Sequence, residues 1–228
     1  MISGKLPADD PAYNPQNPYV NRDPRFYATI LYDGALFKDR PVETFLPGGK
    51  DSNEGAIEPN NATVTGYYLR KFIDESVTDP NLESQGNSPW IFIRYAEILL
   101  NYAEAEYFLG QQDVCRQYIN MIRSRPGVNM PLVTESGDAL LTRLQHERYI
   151  EMAFEEQRYF DVRRWKIAPV VLSVPGEQMI IIKDPLTGIK TYTVNAFNPR
   201  TFYTKNYLVP IPQSEIDKNT LLKQNPGY

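Results

Sequence analysis

The chain has 228 residues, 42% of them hydrophobic and 23% charged, and a net charge of −4. That is the composition of a globular protein, with no basic footprint for nucleic acid. The most apolar run, residues 91–100, is interrupted by Arg94 and Glu97 and is too short to span a bilayer.

Residues 1–25 are rich in Pro, Asn, Asp and Tyr and show neither helical nor strand period. They read as an arm. Tyr13 and Tyr19 lie in it, and each either stacks on a sugar ring or staples the arm to the body. Asp23-Pro24-Arg25 is a helix-start or turn device, with Arg25 read as an internal ion-pair partner. Residues 26–32, β-branched and aromatic and closed by Asp33-Gly34, predict a strand. Residues 38–65 predict loop with one short strand at 42–46, where Phe45 is a candidate exposed aromatic. The run Asp51-Ser-Asn-Glu-Gly55 is rich in oxygen but lacks the ligand spacing of a calcium loop, so no metal site is assigned. Residues 66–73 predict a strand and 74–89 a loop. Trp90 then either packs on the following helix or sits at a rim.

A helix is predicted over 91–109. Ile91, Tyr95, Ile98, Tyr102, Ala105 and Leu109 recur at steps of 4, 3, 4, 3 and 4, one helix face. Ala96, Leu99, Leu100, Ala103 and Tyr107 form a second stripe, which predicts burial around more than half the circumference. Gly110 ends this helix. Asp113 is the expected start of the next, which carries Val114, Cys115, Tyr118, Ile119 and Ile122 and stops at Pro126-Gly127. A lone cysteine makes no disulfide framework, and Cys115 reads as a small core residue. Two such helices joined by a short turn resemble one tetratricopeptide-type unit, a hairpin that needs further helices to cover it.

A third helix begins near Ser136 or Asp138. Its apolar face, Leu140, Leu141 and Leu144, resumes at Tyr149, Met152, Ala153 and Phe154. Among these stand Glu147, Arg148, Glu151, Glu155, Glu156, Arg158, Asp161, Arg163 and Arg164. One reading is a carboxylate pair, Glu147 and Glu151, for acid/base work. The other is a structural ion-pair network, since Glu and Arg three or four positions apart are neighbours on a helix. The nearly balanced charges favour the network, comprising Arg25, Glu147, Arg148, Glu151, Glu155, Arg158, Asp161 and Arg164. No catalytic residue is assigned. The single histidine, His146, lies mid-helix among charges, and neither zinc spacing nor a glycine-rich phosphate loop occurs, so no cofactor is expected. Beyond residue 165, segments 178–183 and 189–194 predict a β-hairpin around 184–188. Residues 202–208 predict an added strand, Ser214 caps a short helical turn, and the tail carries no continuing structure.

Five segments in order resemble the C-terminal half of the SusD/RagB family, or a truncated form of one of its members. They are NRDPRFYATILYDG (21–34), RYAEILLNYAEAEYFLG (94–110), YINMIRSRPGV (118–128), DALLTRLQHERYIEMAFEEQRYFDVRRW (138–165) and YLVPIPQSEIDKNTLLKQNPGY (207–228). The resemblance implies a mainly α fold, a superhelix of tetratricopeptide-like hairpins with a loop-rich lobe and small β-hairpins. The expected organisation is a loop-rich segment at 1–89, the helical core at 90–165, and a β-hairpin with an extended C-terminal segment packing on it at 166–228, all one structural unit. It further implies a surface-exposed outer-membrane lipoprotein for nutrient uptake and carbohydrate transport. Such a protein binds polysaccharide or another nutrient at the cell surface, catalyses nothing, and serves a SusC-like TonB-dependent transporter. Family members are about twice this long, and their lipidated cysteine, the expected membrane attachment, is absent from these residues. Candidate ligand contacts are Tyr13, Tyr19, Phe45 and Trp90. The alternatives are a helical-repeat interaction scaffold without ligand, and a glycosidase using Glu147, Glu151 or Glu155.

Overall fold

Asp23 opens the first helix. In the computed structural model, which describes residues 1–78 and 88–228, its side chain accepts a hydrogen bond from the Arg25 backbone N–H. Pro24 fills the first helical position, where its missing donor is no loss. The result is α1 (Pro24–Thr29), where the β-branched and aromatic composition had predicted strand: the local cap outweighs propensity. Only Ile30–Leu31 continues as a strand, β1. β2 (Leu36–Phe37) and β3 (Arg40–Pro41) form a tight antiparallel hairpin. β4 (Tyr68–Leu69) pairs antiparallel with β1, Ile30 opposite Leu69, and is shorter than the strand predicted over 66–73. The strand expected at 42–46 reduces to one parallel bridge, Leu46 to Ile182. Residues 74–78 are turn and bend. The remainder of the expected loop, 79–87, lies outside the described residues.

The helical core is α2 (Tyr95–Phe108), α3 (Gln112–Arg123) and α4 (Gly137–Glu151). α2 starts four residues later than the periodicity suggested. It ends in a Schellman motif: Gln111 N–H reaches Glu106 O at 2.8 Å, Gly110 N–H reaches Tyr107 O at 3.0 Å, and Gly110 takes φ +80°. α3 begins at Gln112, so Asp113 is not its cap but stands in its first turn, paired with Arg116. Leu99, Leu100 and Ala103 of α2, Cys115, Ile119 and Ile122 of α3, and Leu140 and Leu144 of α4 meet in one core. Leu100, Ile119, Ile122, Leu140 and Leu144 are almost wholly excluded from water, each worth roughly 1.5–3 kcal/mol of transfer free energy.

Two expectations for these helices are corrected. The α2 stripe led by Ile91 does not face the core: Tyr95, Ile98 and Tyr102 are exposed, and only the Ala96–Leu100–Ala103 stripe is buried. The apolar face of α4 does not run through Phe154. Phe154 and Glu156 adopt left-handed backbone and break the helix, leaving Tyr149 and Phe154 exposed while Met152 is buried as its C-cap.

The described residues divide into two compact units, Met1–Glu155 with Gln178–Asn195, and Glu156–Glu177 with Ala196–Tyr228. The first holds residues 178–183 of β5 (Gly176–Lys183) and 190–195 of β6 (Lys190–Phe197), paired around a turn held by Asp184, whose carboxylate accepts from the N–H groups of Leu186 and Thr187. The apolar face of this hairpin, Met179 and Ile181, is covered by Phe45, with Tyr67 and Tyr192 alongside. The Gln16 side chain lies against β6 as a strand would: its amide donates to Tyr192 O at 3.0 Å and its carbonyl accepts from Tyr192 N–H at 3.0 Å.

The second unit holds α5 (Gln157–Arg164), α6 (Ala168–Val171) and α7 (Gln213–Lys218). Residues 202–208 contain a 3-10 turn, Thr204–Tyr207, in place of the predicted strand. Ser214 lies inside α7, with Pro212 at the cap position. The tail has no helix or strand but is fastened: Gln224 exchanges two hydrogen bonds with the Ile211 backbone, and Asn225 donates to Val209 O at 2.7 Å. The whole is mainly α with small two-stranded sheets, the class the sequence implied.

Candidate functional site

Glu147 and Glu151 stand one turn apart on α4, both almost fully buried. A buried carboxylate needs partners, and each has them. Glu147 accepts from Arg25 Nη1 at 2.6 Å and from Arg123 Nη1 at 2.6 Å. Glu151 accepts from Arg25 Nη1 at 3.0 Å, from Arg94 Nη1 at 2.7 Å, and from both Nη atoms of Arg125 at 2.7 and 3.0 Å. Glu155 accepts from Arg94 Nε at 2.6 Å and pairs with Lys71. Asp23 holds Arg25 from the other side at 2.7 Å.

The five cations come from four segments. Arg25 is fixed by the α1 cap, Arg94 precedes α2, Arg123 ends α3, Arg125 follows it, and Lys71 follows β4. Arg94 and Lys71 also donate to backbone carbonyls at the end of α4: Arg94 Nη2 reaches Glu151 O at 2.6 Å, and Lys71 Nζ reaches Ala153 O at 2.9 Å. Arg123 Nε does the same for Pro131 O at 2.6 Å. The arginine fork suits these tasks, because one guanidinium serves a carboxylate and a carbonyl together.

Burial alone would raise the Glu151 carboxyl. Hydrogen bonds from Arg125, Arg94 and Arg25 outweigh it and hold the group at about 2. Glu155 is depressed in the same way, burial opposing and Arg94 and Lys71 prevailing. A general acid needs the opposite displacement, and a general base needs an oxygen facing substrate. Glu151 has neither. The arrangement ties four segments to the C-terminal half of α4 and the turn after it.

Of the residues read as a network, Arg25, Glu147, Glu151 and Glu155 are joined here. Arg148 is buried and donates to Asn101 Oδ1 at 2.6 Å. In the second unit Arg164 pairs with Asp161 at 2.9 Å, and Arg158 lies half-buried on α5. Sequence reasoning missed Lys71, Arg94, Arg123 and Arg125. Their carboxylate partners lie 24 to 84 residues away, where no helical spacing reaches. His146 is half-buried, and burial, then the charge of Arg143, lowers its pKa.

The four candidate ligand aromatics part company. Tyr19 is 7% exposed, its ring 4.4 Å from Tyr32 and within 6.3 Å of Phe26, Tyr67 and Tyr192. It staples the arm to the body and offers no free face. Phe45 is 8% exposed, buried in the hairpin core with Lys183 and Lys190 over its ring. Both assignments as ligand contacts are therefore corrected: neither ring is accessible to a sugar. Tyr13 is half-buried. Trp90 is 58% exposed and stacks on Phe72, centroids 5.6 Å apart at 29°.

Asp51, the best oxygen donor of the 51–55 loop, is taken by Arg40 in two bonds of 2.7 Å. Among the described residues, no group of three or more His, Cys, Asp or Glu side chains is placed to hold a metal ion. Among the same residues, no helix is long and apolar enough to cross a membrane.

The site is thus a structural one, a helical hairpin core whose α4 is fastened by arginines from preceding segments. The model of the SusD family matches residues 3–228, and the chain belongs to that family. It is 28% identical over 183 residues to SusD-like protein P2 of Formosa agariphila, covering 75% of this chain and 32% of that one. Among solved structures it resembles a SusD-like protein from Bacteroides fragilis, with TM-score 0.75 and 35% identity over 92% of this chain and 40% of the other. A SusD-like carbohydrate binding protein from the same organism gives 0.70 and 35%, over 94% and 44%. The chain thus spans less than half the length of these relatives.

Proposed function

We propose that these residues belong to a non-catalytic protein that captures oligosaccharides at the surface of the outer membrane and passes them to a SusC-like TonB-dependent transporter. The observation that carries this reading is the family match over residues 3–228. A structural relative described as a SusD-like carbohydrate binding protein supports it. The geometry agrees with a role in binding. The carboxylates that a glycosidase would use are engaged by arginine and lysine, while an aromatic pair stands exposed. Affinity of this kind comes from ring stacking and hydroxyl hydrogen bonds on a preformed surface.

Calorimetric titration of the folded 228-residue chain against neutral and acidic oligosaccharides tests the reading. Saturable binding without turnover supports capture. Hydrolysis of any member that Glu151→Gln abolishes overturns it, and so does an absence of binding across the panel. The second reading, a scaffold that docks a protein, draws on the exposed Tyr95, Ile98 and Tyr102 face of α2. It requires that no sugar bind at all.

A further inference from the structure

Phe72 has φ +72°, a left-handed backbone that a bulky side chain seldom adopts. Such a conformation persists only where the surroundings hold it. Here the holding group is Lys71. Its ammonium bonds Glu155 and the carbonyls of Glu151 and Ala153, fastening the neighbouring residue to the end of α4. The same ammonium stands 5.7 Å from the centre of the Phe72 ring. Phe72 is nevertheless 42% exposed, and the Trp90 ring lies stacked on it. Strained backbone and a fixed anchor thus present two large apolar rings to solvent. Burying them would be the ordinary outcome of folding.

We propose that Phe72 and Trp90 form a stacking platform for a neutral pyranose, with the sugar lying on the indole face turned away from Phe72. The assignment rests on the capture reading above and locates part of its site.

One face of Trp90 is backed by Phe72, so the exposure of the indole falls on its other face and edges. An indole face is matched by the C–H face of a pyranose whose ring hydrogens are axial, which is flat and apolar. The flanking charges decide for a neutral ring. Lys71 is engaged by Glu155, and Arg94 by Glu151 and Glu155, so the carboxylates and the cations beside the platform compensate one another. An acidic sugar would find no cation there that is not already paired with a carboxylate. The backing ring matters as much as the contact ring. Phe72 fixes the plane of Trp90, so less side-chain freedom is lost when a ligand arrives.

The chain has two tryptophans, so Trp165→Phe leaves Trp90 as the sole reporter. In that background, neutral β-linked gluco- and galacto-oligosaccharides, together with uronic-acid oligosaccharides, are titrated while emission and acrylamide quenching are followed. The expected result is saturable binding of a neutral member with Trp90 shielded from quencher. By calorimetry on the otherwise unaltered chain, Trp90→Ala should weaken binding at least tenfold and Phe72→Ala severalfold. Phe72→Gly, which suits φ +72° and keeps the fold, should match Phe72→Ala. Neutral-sugar binding that Trp90→Ala leaves unchanged overturns the platform while capture stands. Binding confined to uronic acids does the same. Absence of binding to every member overturns both.

Discussion

Arg125 grips Glu151 with both ends of its guanidinium, Nη1 to Oε1 at 2.7 Å and Nη2 to Oε2 at 3.0 Å. The carboxylate is nearly free of solvent while Arg125 is more than a third exposed. The fork therefore closes the water side of a charge whose other contacts, Arg25 and Arg94, come from within. Two consequences of this geometry are measurable.

Replacing Glu151 with Gln removes the negative centre and leaves three guanidinium groups facing one another. Breaking a buried pair from one side is costlier than the pair's own worth. Glu151→Gln should lower stability by roughly 3–5 kcal/mol, read from urea denaturation midpoints. Sugar affinity measured well below the melting temperature should not change. Loss of affinity in a folded variant would give Glu151 a place in ligand binding.

Acid should act on the same residue. Its folded value is about 2 against 4.5 for the free group. A depressed carboxyl contributes stability that is fully present above the unfolded value and is lost as pH falls toward the folded one. The loss should run from about pH 4.5 down to about pH 2 and amount to about 3 kcal/mol from this group. Glu155, depressed in the same direction, adds to it. Denaturation midpoints taken across that range should fall steeply for the parent chain and less steeply for Glu151→Gln.

The two stripes of α2 make opposite demands. Leu100 lies in the core, and Leu100→Ala should cost roughly 2–5 kcal/mol. Ile98 is half exposed, and Ile98→Ala should stay within about 0.5 kcal/mol. Equal losses at both positions would mean that the Ile98 face is covered in solution.

Gly110 closes α2 at φ +80°. A Cβ added there meets nothing within 4 Å, so the effect of Gly110→Ala is purely one of backbone conformation. It should destabilise by roughly 1–2 kcal/mol, with hydrogen exchange quickening first in the amides that follow Phe108.

The helices of the core were readable because apolar residues recur three and four positions apart within 95–108, 112–123 and 137–151, between turn signals such as Gly110 and Pro126-Gly127. Which side of α2 faced inward was not readable. Ile91, Tyr95, Ile98 and Tyr102 are as apolar as Ala96, Leu99, Leu100 and Ala103, and only the positions of α3 and α4 choose between them. The misread strand at 26–32 shows a short cap, Asp23-Pro24, prevailing over β-branched and aromatic composition. Among the charges, the four-residue steps Glu147, Glu151 and Glu155 were visible. Their partners Arg94, Arg123 and Arg125 stand at or just beyond the ends of other helices, and such long-range pairing leaves no trace in local spacing. Aromatic residue type likewise could not separate buried Tyr19 from exposed Trp90. Phe72 drew no notice, because a left-handed backbone at a non-glycine residue has no sequence signal.

The amide of Gln16 has a consequence for the edge of the small hairpin it touches. An open edge strand offers an unpaired N–H and C=O to any extended chain that drifts alongside, and neighbouring molecules can grow a shared sheet from such a rung. At Tyr192 both groups are already occupied by one side chain. A single glutamine thus acts as a terminator of sheet growth. Gln16→Ala would free that rung, turning a closed border into a template on which copies of the chain could assemble.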